Sequence, residues 1–250
     1  MAMKHGAVIL TPDYRLRPEH ELRESVADIK SFWEWIEDDS AQRTLNTLRP
    51  EITLEKENLI VAGESAGGYL TAQTAVMGLT SLPIKVLIIQ YPPLDMTEKL
   101  RLVDTSPEVL KTGLWAERVP YSEVEEHLRS LEKGKLCTRA PFASRMRLLA
   151  GMVQAGKFWD AEKDAATLDP FLALDNAGKL PPILLYHSKE DEAVSWTHTE
   201  KWAQKLKKLQ PDVPLYLKYT TGCHVFDADD TMDTPWLKEP LEFVQKYWPA

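Results

Sequence analysis

Five short, almost continuously apolar runs constrain the fold of this chain more than any other feature. A run without polar alternation is typical of a strand that is buried on both faces of a parallel sheet. The runs are AVIL (7–10), NLIVAG (58–63), IKVLIIQY (84–91), PILLYH (182–187) and PLYLKY (214–219). Amphipathic helical patterns lie between or after them, at residues 21–38, 197–209 and 236–248. Strands that alternate with helices predict an α/β fold, with a mostly parallel sheet flanked by helices.

Residues 96–180 interrupt this alternation, because they separate two predicted strands by far more than one crossover helix needs. The segment carries two helical patterns, SEVEEHLRSLEKGK and RMRLLAGMVQAGKFW. We therefore predict one domain over residues 1–250, in which 96–180 is a helical cap or lid insertion over the carboxyl ends of the strands. The alternative interpretation is a structural elaboration of the scaffold.

Length and charge exclude some classes of function. The chain has 250 residues, enough for one sizeable core, and a formal net charge of -8, which argues against nucleic acid or an anionic membrane as a partner. It holds no apolar stretch long enough for a membrane span and no signal-peptide pattern, so we expect a cytoplasmic protein. Cys137 and Cys223 match no zinc pattern and form no disulfide framework, although one bridge between them stays open.

The stretch IVAGESAGGYL (60–70) places Ser65 between Gly63 and Gly67, after a predicted strand and before a predicted helix. This arrangement is typical of a nucleophile elbow, whose sharp turn exposes the serine hydroxyl. We expect both glycines to be required for steric reasons, and the helix dipole to favour negative charge beside Ser65. The alternative is a polar residue in an ordinary turn.

A serine hydroxyl needs a base, and the base needs an acid that orients it. In such a sheet both come from loops after later strands, in the order serine, acid, histidine. Of the six histidines, His224 alone follows the last predicted strand, in the loop TTGCHVFD; His187, which ends a strand, is the competitor.

The acid is sought in the loop HSKEDEAV after PILLYH. Asp191 is one candidate, and Glu190 and Glu192 are close rivals between which charge alone does not choose. Asp227 and Asp229 follow His224 too closely in sequence to match the expected order.

Taken together, TPDYRLRPEH, GESAGG, Asp191 and His224 resemble the hormone-sensitive-lipase-like branch of the α/β-hydrolases over nearly the whole chain. The resemblance implies a carboxylesterase that acts on small-molecule esters with short to medium acyl chains, without a metal or organic cofactor. It implies Ser65 as nucleophile and His224 as general base. It favours Asp191 as the orienting acid, because HSKEDEAVS aligns with the family's HG-x-x-D-x-x-V-P loop. A homodimer is expected by the same analogy.

The resemblance also assigns secondary roles. Glu64 of the elbow occupies a position where the family often has Asp or Glu. Asp13, Arg15 and Glu19 of the segment TPDYRLRPEH are expected to be structural, tying a loop near the site by ion pairs.

The chain departs from the family at its start. Members carry an HGGG segment whose backbone N–H groups form most of the oxyanion hole, whereas HGAVIL here is already the strand before DYRL. We therefore expect the family's first strands, this glycine-rich loop and the first helix to be missing, which leaves the backbone N–H of Ala66 as an oxyanion donor. The alternative function that follows is a catalytically weak or inactive hydrolase-fold protein that serves as a binding or partner protein.

The same departure bears on the sheet, because in the family another strand lies between AVIL and NLIVAG. Its removal leaves a gap one strand wide, about 5 Å beyond normal pairing distance. AVIL could pair directly with NLIVAG, a partner chain could supply the strand, or the sequence could be a fragment of a longer chain. We favour direct pairing of AVIL with NLIVAG.

Overall fold

A computed structural model describes residues 5–96, 117–158 and 166–248. Its sheet has four strands, all parallel, in the order β1-β2-β3-β4. The strands are β1 (Leu59–Glu64), β2 (Ile84–Gln90), β3 (Ile183–Ser188) and β4 (Leu215–Thr220). The prediction of a parallel sheet flanked by helices is confirmed, and four of the five apolar runs form its strands.

Helices surround this sheet, and each predicted amphipathic pattern overlaps one. The short helix α2 was not expected, since its nine residues bury Ala41 on a largely polar surface. None of the helices in the described ranges is long and apolar enough to cross a membrane. The helices are α1 (Leu22–Glu37), α2 (Ser40–Leu48), α3 (Ala66–Val76), α4 (Tyr121–Ser130), α5 (Phe142–Gln154), α6 (Pro170–Ala173), α7 (Trp196–Leu209) and α8 (Lys238–Tyr247).

Both faces of the sheet are covered, which is why the central strands are apolar at consecutive positions. Leu87 and Ile89 of β2 pack into a core that includes Trp202 of α7. The alternate residue Val86 points to the opposite face and packs with Val244 of α8. α3 lies against β1 and β2, and α1 packs outside it.

The stretch AVIL (7–10) is not a strand, so the expectation that it pairs directly with NLIVAG was wrong. β1 is the first strand in the order of the described sheet, and its hydrogen-bonded neighbour is β2. Val8 is 40% and Ile9 72% exposed, values that a paired, covered strand would not show. A groove of about 320 Å³, lined by apolar residues of α1, β1 and the 8–14 segment, separates the stretch from β1.

Contacts further along the segment explain why AVIL does not cross this groove. The Arg15 side chain binds Asp28 of α1, and the Ser25 hydroxyl of α1 donates to the Arg15 carbonyl. The next residue, Leu16, donates its backbone N–H to the Cys137 carbonyl. These bonds hold the segment against α1 and the 137 region, and the four apolar residues before it follow that path.

Within the predicted insertion 96–180, the structure describes 117–158 and 166–180, and the remaining residues lie outside the described ranges. α4 and α5 pack against each other, and Arg147 of α5 pairs with Glu123 of α4. Val119, which precedes α4, forms a small core with Ala150 and Val153 of α5, and Ala193, in the loop after β3, packs against that core. Cys137 and Cys223 are both free thiols, so the bridge left open by the sequence is not formed.

Candidate active site

The candidate site lies at the carboxyl ends of the four strands, the edge of a parallel α/β sheet where ligands commonly bind. Ser65 follows β1, Tyr91 follows β2, and the loops 189–195 and 221–234 follow β3 and β4. The backbone ladder continues past the strand ends, since Ser65 N–H donates to the Gln90 carbonyl at 2.9 Å. The elbow is thereby fixed to the neighbouring strand.

Ser65 stands at the turn between β1 and α3, with φ 51° and ψ -117°. A non-glycine residue in this region is strained by about 1–3 kcal/mol, and such strain persists where the surroundings enforce it. Ala66 opens α3, so its backbone N–H has no partner within the helix and points outward at the helix N-terminus. The geometry matches the elbow that the sequence predicts.

The steric roles of the elbow glycines differ from the prediction. A Cβ on Gly63 would lie 2.3 Å from the Gly67 carbonyl oxygen, so that position requires glycine. A Cβ on Gly67 would meet nothing within 4 Å, and the steric requirement predicted for it was wrong. The tight position on α3 is Gly68, whose Cβ would lie 2.9 Å from the Gln90 carbonyl. Gly67 faces the open groove beside β1, which is why it has room.

His224 lies between Ser65 and Asp191. Its Nε2 atom is 2.9 Å from Ser65 Oγ, and its Nδ1 atom is 2.7 Å from Asp191 Oδ2. The imidazole is well covered, with 9% of the side chain exposed, and the Asp191 side chain is fully buried. The structure therefore brings the three residues together, although they are separated by up to 159 positions in sequence.

The Asp191 carboxylate is held by several donors. Its Oδ1 atom accepts the backbone N–H groups of Ala193 at 2.9 Å and Val194 at 2.8 Å. Burial alone would raise the pKa of Asp191, but the hydrogen bonds from His187 and His224, together with the charge of His224 and the N–H of Val194, lower it well below its usual value. The carboxylate is thus kept ionised beside the imidazole.

His187, the competing base candidate, does not face Ser65. It is fully buried, and its Nδ1 atom lies 2.7 Å from the Thr199 hydroxyl. Its Nε2 atom lies 3.0 Å from the Val194 carbonyl and 3.2 Å from Asp191 Oδ2. Because both neighbours of Nε2 are acceptors, Nε2 carries the proton and Nδ1 accepts from Thr199. His187 therefore donates to the Asp191 carboxylate and not to Ser65.

The two rival acids bind the backbone of the histidine loop instead of the imidazole. Glu190 Oε2 accepts the N–H of Gly222 at 2.8 Å, and Glu192 Oε2 accepts the N–H of His224 at 3.0 Å. Three consecutive carboxylates thus hold one loop, Glu190 at Gly222 and both Asp191 and Glu192 at His224. The pattern KEDE gave no signal for this division of roles, because it depends on how two loops face each other.

Asp227 was set aside as the acid, and its carboxylate does bind elsewhere. It accepts the Tyr91 hydroxyl at 2.9 Å on Oδ1 and the Tyr186 hydroxyl at 2.8 Å on Oδ2. Gln90 Nε2 lies 3.2 Å from the same Oδ2 atom. Asp229 is exposed. Sequence reasoning missed this cluster of Tyr91, Tyr186 and Asp227 beside the site. Its sequence signal is a tyrosine within β3 and another directly after β2.

The ion pairs expected from TPDYRLRPEH are present, with partners that the sequence did not specify. Arg15 binds Asp28 through Nη2 at 2.8 Å, and Asp13 binds Arg139. Glu19 has a side chain that is 3% exposed and pairs with Arg145 of α5 at 2.6 Å. The segment is therefore tied both to α1 and to the region of α5.

The arrangement can deprotonate a hydroxyl and stabilise the imidazolium that results. Ser65 supplies the oxygen, His224 the proton acceptor, and Asp191 the negative charge behind it. Among the described residues there is no group of three or more His, Cys, Asp or Glu side chains placed to hold a metal ion.

The chain is similar to a known family and to named proteins. A family model described as alpha/beta hydrolase fold, Abhydrolase_3, matches residues 1–228. A protein of Phoma sp. described as "Probable carboxylesterase M8" is 25% identical over 99% of this chain and 77% of its own length. A second, "Probable carboxylesterase clz11" of Cochliobolus lunatus, is 27% identical over 75% of this chain and 86% of its own length.

Solved structures show the same fold. An esterase/lipase from an uncultured bacterium has a TM-score of 0.57 at 21% identity, and the match covers all of this chain and 69% of that one. An esterase from Pyrobaculum calidifontis has a TM-score of 0.54 at 22% identity, over 98% and 66%. Against esterase B from Lactobacillus rhamnosis, this chain spans 63% of the solved length.

Proposed function

Because the chain belongs to the alpha/beta hydrolase fold family whose model matches residues 1–228, we propose that it is a serine carboxylesterase. The observation that carries the proposal is the continuous chain of hydrogen bonds from Ser65 Oγ through His224 to Asp191. The names of the relatives from Phoma sp. and Cochliobolus lunatus, both described as probable carboxylesterases, support it.

In the proposed reaction, Ser65 Oγ attacks the ester carbonyl while His224 Nε2 takes its proton. The carbonyl oxygen gains negative charge, and the outward N–H of Ala66 donates to it. The protonated imidazole then gives the proton to the departing alcohol, which leaves an acyl group on Ser65. Water, deprotonated by the same nitrogen, releases the acid and restores the serine.

Asp191 contributes to two steps of this cycle. When the imidazole of His224 is neutral, the contact with Asp191 keeps its one ring proton on Nδ1, which leaves Nε2 free to accept the proton of Ser65. Its negative charge then stabilises the imidazolium, in a position from which water is excluded by burial. The four N–H contacts to Asp191 keep the carboxylate from rotating as the imidazole becomes charged.

We further propose that residues 96–180 act as a cap on the substrate side. The core formed by Val119 and residues of α5 packs on Ala193, which is two residues from Asp191. Glu19 links α5 to the 13–19 segment. Through these contacts α5 is fixed to the rim of the site, which suits a wall that selects among esters.

A fluorophosphonate probe tests the proposal, because it reacts with an activated serine hydroxyl. Wild type should be labelled at Ser65, and Ser65→Ala should not be labelled. Hydrolysis of p-nitrophenyl butyrate provides the second measurement, with Ser65→Ala and His224→Gln as controls. A folded wild type that is neither labelled nor faster than Ser65→Ala would contradict the esterase proposal and favour the binding or partner protein.

A further inference from the structure

Tyr91 occupies an unusual position at the end of β2. It is fully buried and has φ 36°, a left-handed backbone conformation that tyrosine seldom adopts. Its hydroxyl oxygen lies 2.7 Å from Glu64 Oε2 and 2.9 Å from Asp227 Oδ1. One phenol therefore stands between two carboxylates, which come from opposite sides of the site.

The two carboxylates lie next to the two residues that must meet for catalysis. Glu64 is bonded directly to Ser65, and Asp227 is three residues beyond His224. The Tyr91 ring also meets the His224 ring edge-on, with centroids 5.1 Å apart and planes at 73°. A single side chain thus contacts the residue before the serine, the loop of the histidine and the imidazole itself.

The hydrogen bonds around Tyr91 are directional. Tyr186 donates its hydroxyl to Asp227 Oδ2, which leaves Oδ1 facing Tyr91. Burial, followed by the hydrogen bond to Glu64 and the charge of Asp227, raises the pKa of Tyr91, so its hydroxyl stays protonated as a donor. Since a phenol has one proton, it donates to one carboxylate at a time, and its oxygen accepts only from a protonated partner.

Backbone strain concentrates at the same place. Ser65, Tyr91 and Val225, the residue after His224, all have positive φ without being glycine. Strained conformations of this kind persist only when surrounding contacts over-determine them. The bridge from Glu64 through Tyr91 to Asp227 includes one strained residue, begins at the residue before Ser65 and ends two residues after Val225.

We propose that Tyr91 is a positioning residue that holds His224 and Ser65 in register. Its hydroxyl donates its single proton to Glu64 or to Asp227 in turn, and its ring packs edge-on against the imidazole. Its effect on turnover rests on the proposed esterase function. Its effect on the geometry of the His224–Asp191 pair does not, and the two can be measured separately.

Tyr91→Phe removes the hydroxyl and keeps the ring. Tyr216→Phe is a matched control, because it also removes a tyrosine hydroxyl that donates to a carboxylate. Tyr216 lies on β4, away from the site, and its hydroxyl donates to Glu239 of α8 at 2.6 Å. The first measurement is the exchange with water of the low-field Nδ1–H proton of His224, assigned by its absence in His224→Gln. We expect exchange in Tyr91→Phe to be faster by about tenfold, since one anchor of the loop is lost, and unchanged in Tyr216→Phe.

The second measurement is hydrolysis of p-nitrophenyl butyrate. In Tyr91→Phe, kcat should fall about tenfold with KM little changed, because the alignment of base and nucleophile is affected more than binding. If Tyr91→Phe does not fold, Glu64→Ala breaks the other end of the bridge at an exposed side chain, and Glu64→Gln should recover most of the loss.

The two proposals fail in different ways. Equal proton exchange in wild type and in the folded variant that breaks the bridge would overturn the positioning role, whatever the turnover. Faster exchange in that variant, combined with a wild type no faster than Ser65→Ala, would support the positioning role and contradict the esterase. If proton exchange at His224 were accelerated equally in Tyr216→Phe, the effect would reflect a general loss of stability, and the positioning role of Tyr91 would also be overturned.

Discussion

His187 Nε2 lies 3.2 Å from Oδ2 of Asp191, the oxygen that contacts Nδ1 of His224 at 2.7 Å. The proposed acid is therefore held between two imidazoles, one buried beneath it and one at the surface of the site. Such an outer partner fixes the orientation of a side chain whose position matters for chemistry.

Replacing His187 tests this support. His187→Ala should lower kcat/KM by about tenfold, because Asp191 loses one neighbour and rotates more freely. His187→Gln should retain more activity, since its amide nitrogen reaches nearly the place of Nε2. Esterase kinetics, with thermal unfolding to confirm that both variants fold, provide the comparison. Similar losses in both variants would mean that shape, and not the hydrogen bond, is what His187 contributes.

The fold could be read from the sequence where hydrophobic pattern and neighbours agree. β2 and β3 are apolar on both faces because helices cover both faces, and their runs were identified to within one residue at each end. AVIL has the same local pattern, yet it is exposed and unpaired with β1. Strand formation needs a partner at the correct distance, and no local pattern reports that distance.

The candidate site shows a similar division. Ser65 and His224 could be selected because the elbow has a local motif and the order along the chain is restricted. Asp191 could be chosen over Glu190 and Glu192 only through the resemblance of HSKEDEAVS to the family's loop. His187 and Tyr91 could not, since their roles arise where loops from different strands meet. Gly67 shows a further limit, because its motif implies crowding that the open groove beside β1 removes.

The two elbow glycines give a matched pair of variants. Gly63→Ala should lower the free energy of unfolding by about 3 kcal/mol or more, because its Cβ would overlap the Gly67 carbonyl oxygen. Gly67→Ala should be neutral or stabilising by up to about 1 kcal/mol, since alanine is the better helix former and has room. Urea unfolding measures both. A large loss in Gly67→Ala would contradict the open space beside β1.

Arg15 provides a test of the anchor that keeps the 7–14 segment away from β1. Its guanidinium binds both Asp28 oxygens and also Glu24. Arg15→Lys keeps the charge but loses this fork, so we expect a loss of about 1–2 kcal/mol in the free energy of unfolding. Arg43→Lys is the control, because Arg43 and Asp38 are mostly exposed and 3.9 Å apart, and it should change stability by under about 0.5 kcal/mol. Equal effects would contradict the anchoring role.

Glu19 should give stability an acid-sensitive component. Burial opposes ionisation, but hydrogen bonds from Arg145 and His127 outweigh it and lower the pKa of Glu19 from 4.5 to about 2. A lowered folded-state pKa means that this contribution is complete above about pH 4.5 and is lost as pH falls toward 2. Since one pKa unit corresponds to about 1.4 kcal/mol, the contribution is about 3 kcal/mol at neutral pH.

Glu19→Gln removes this titration, so its stability deficit relative to wild type should be largest near pH 7 and should narrow below about pH 4.5. Urea unfolding at a series of pH values between 7 and 3 measures the deficit. Glu34→Gln is the control, because Glu34 is 62% exposed and 3.9 Å from Lys30, and its deficit should stay small throughout. A deficit for Glu19→Gln that is the same at pH 7 and pH 3 would show that the carboxylate acts through its shape and not through its charge. The link between α5 and the 13–19 segment would then not depend on the ion pair with Arg145.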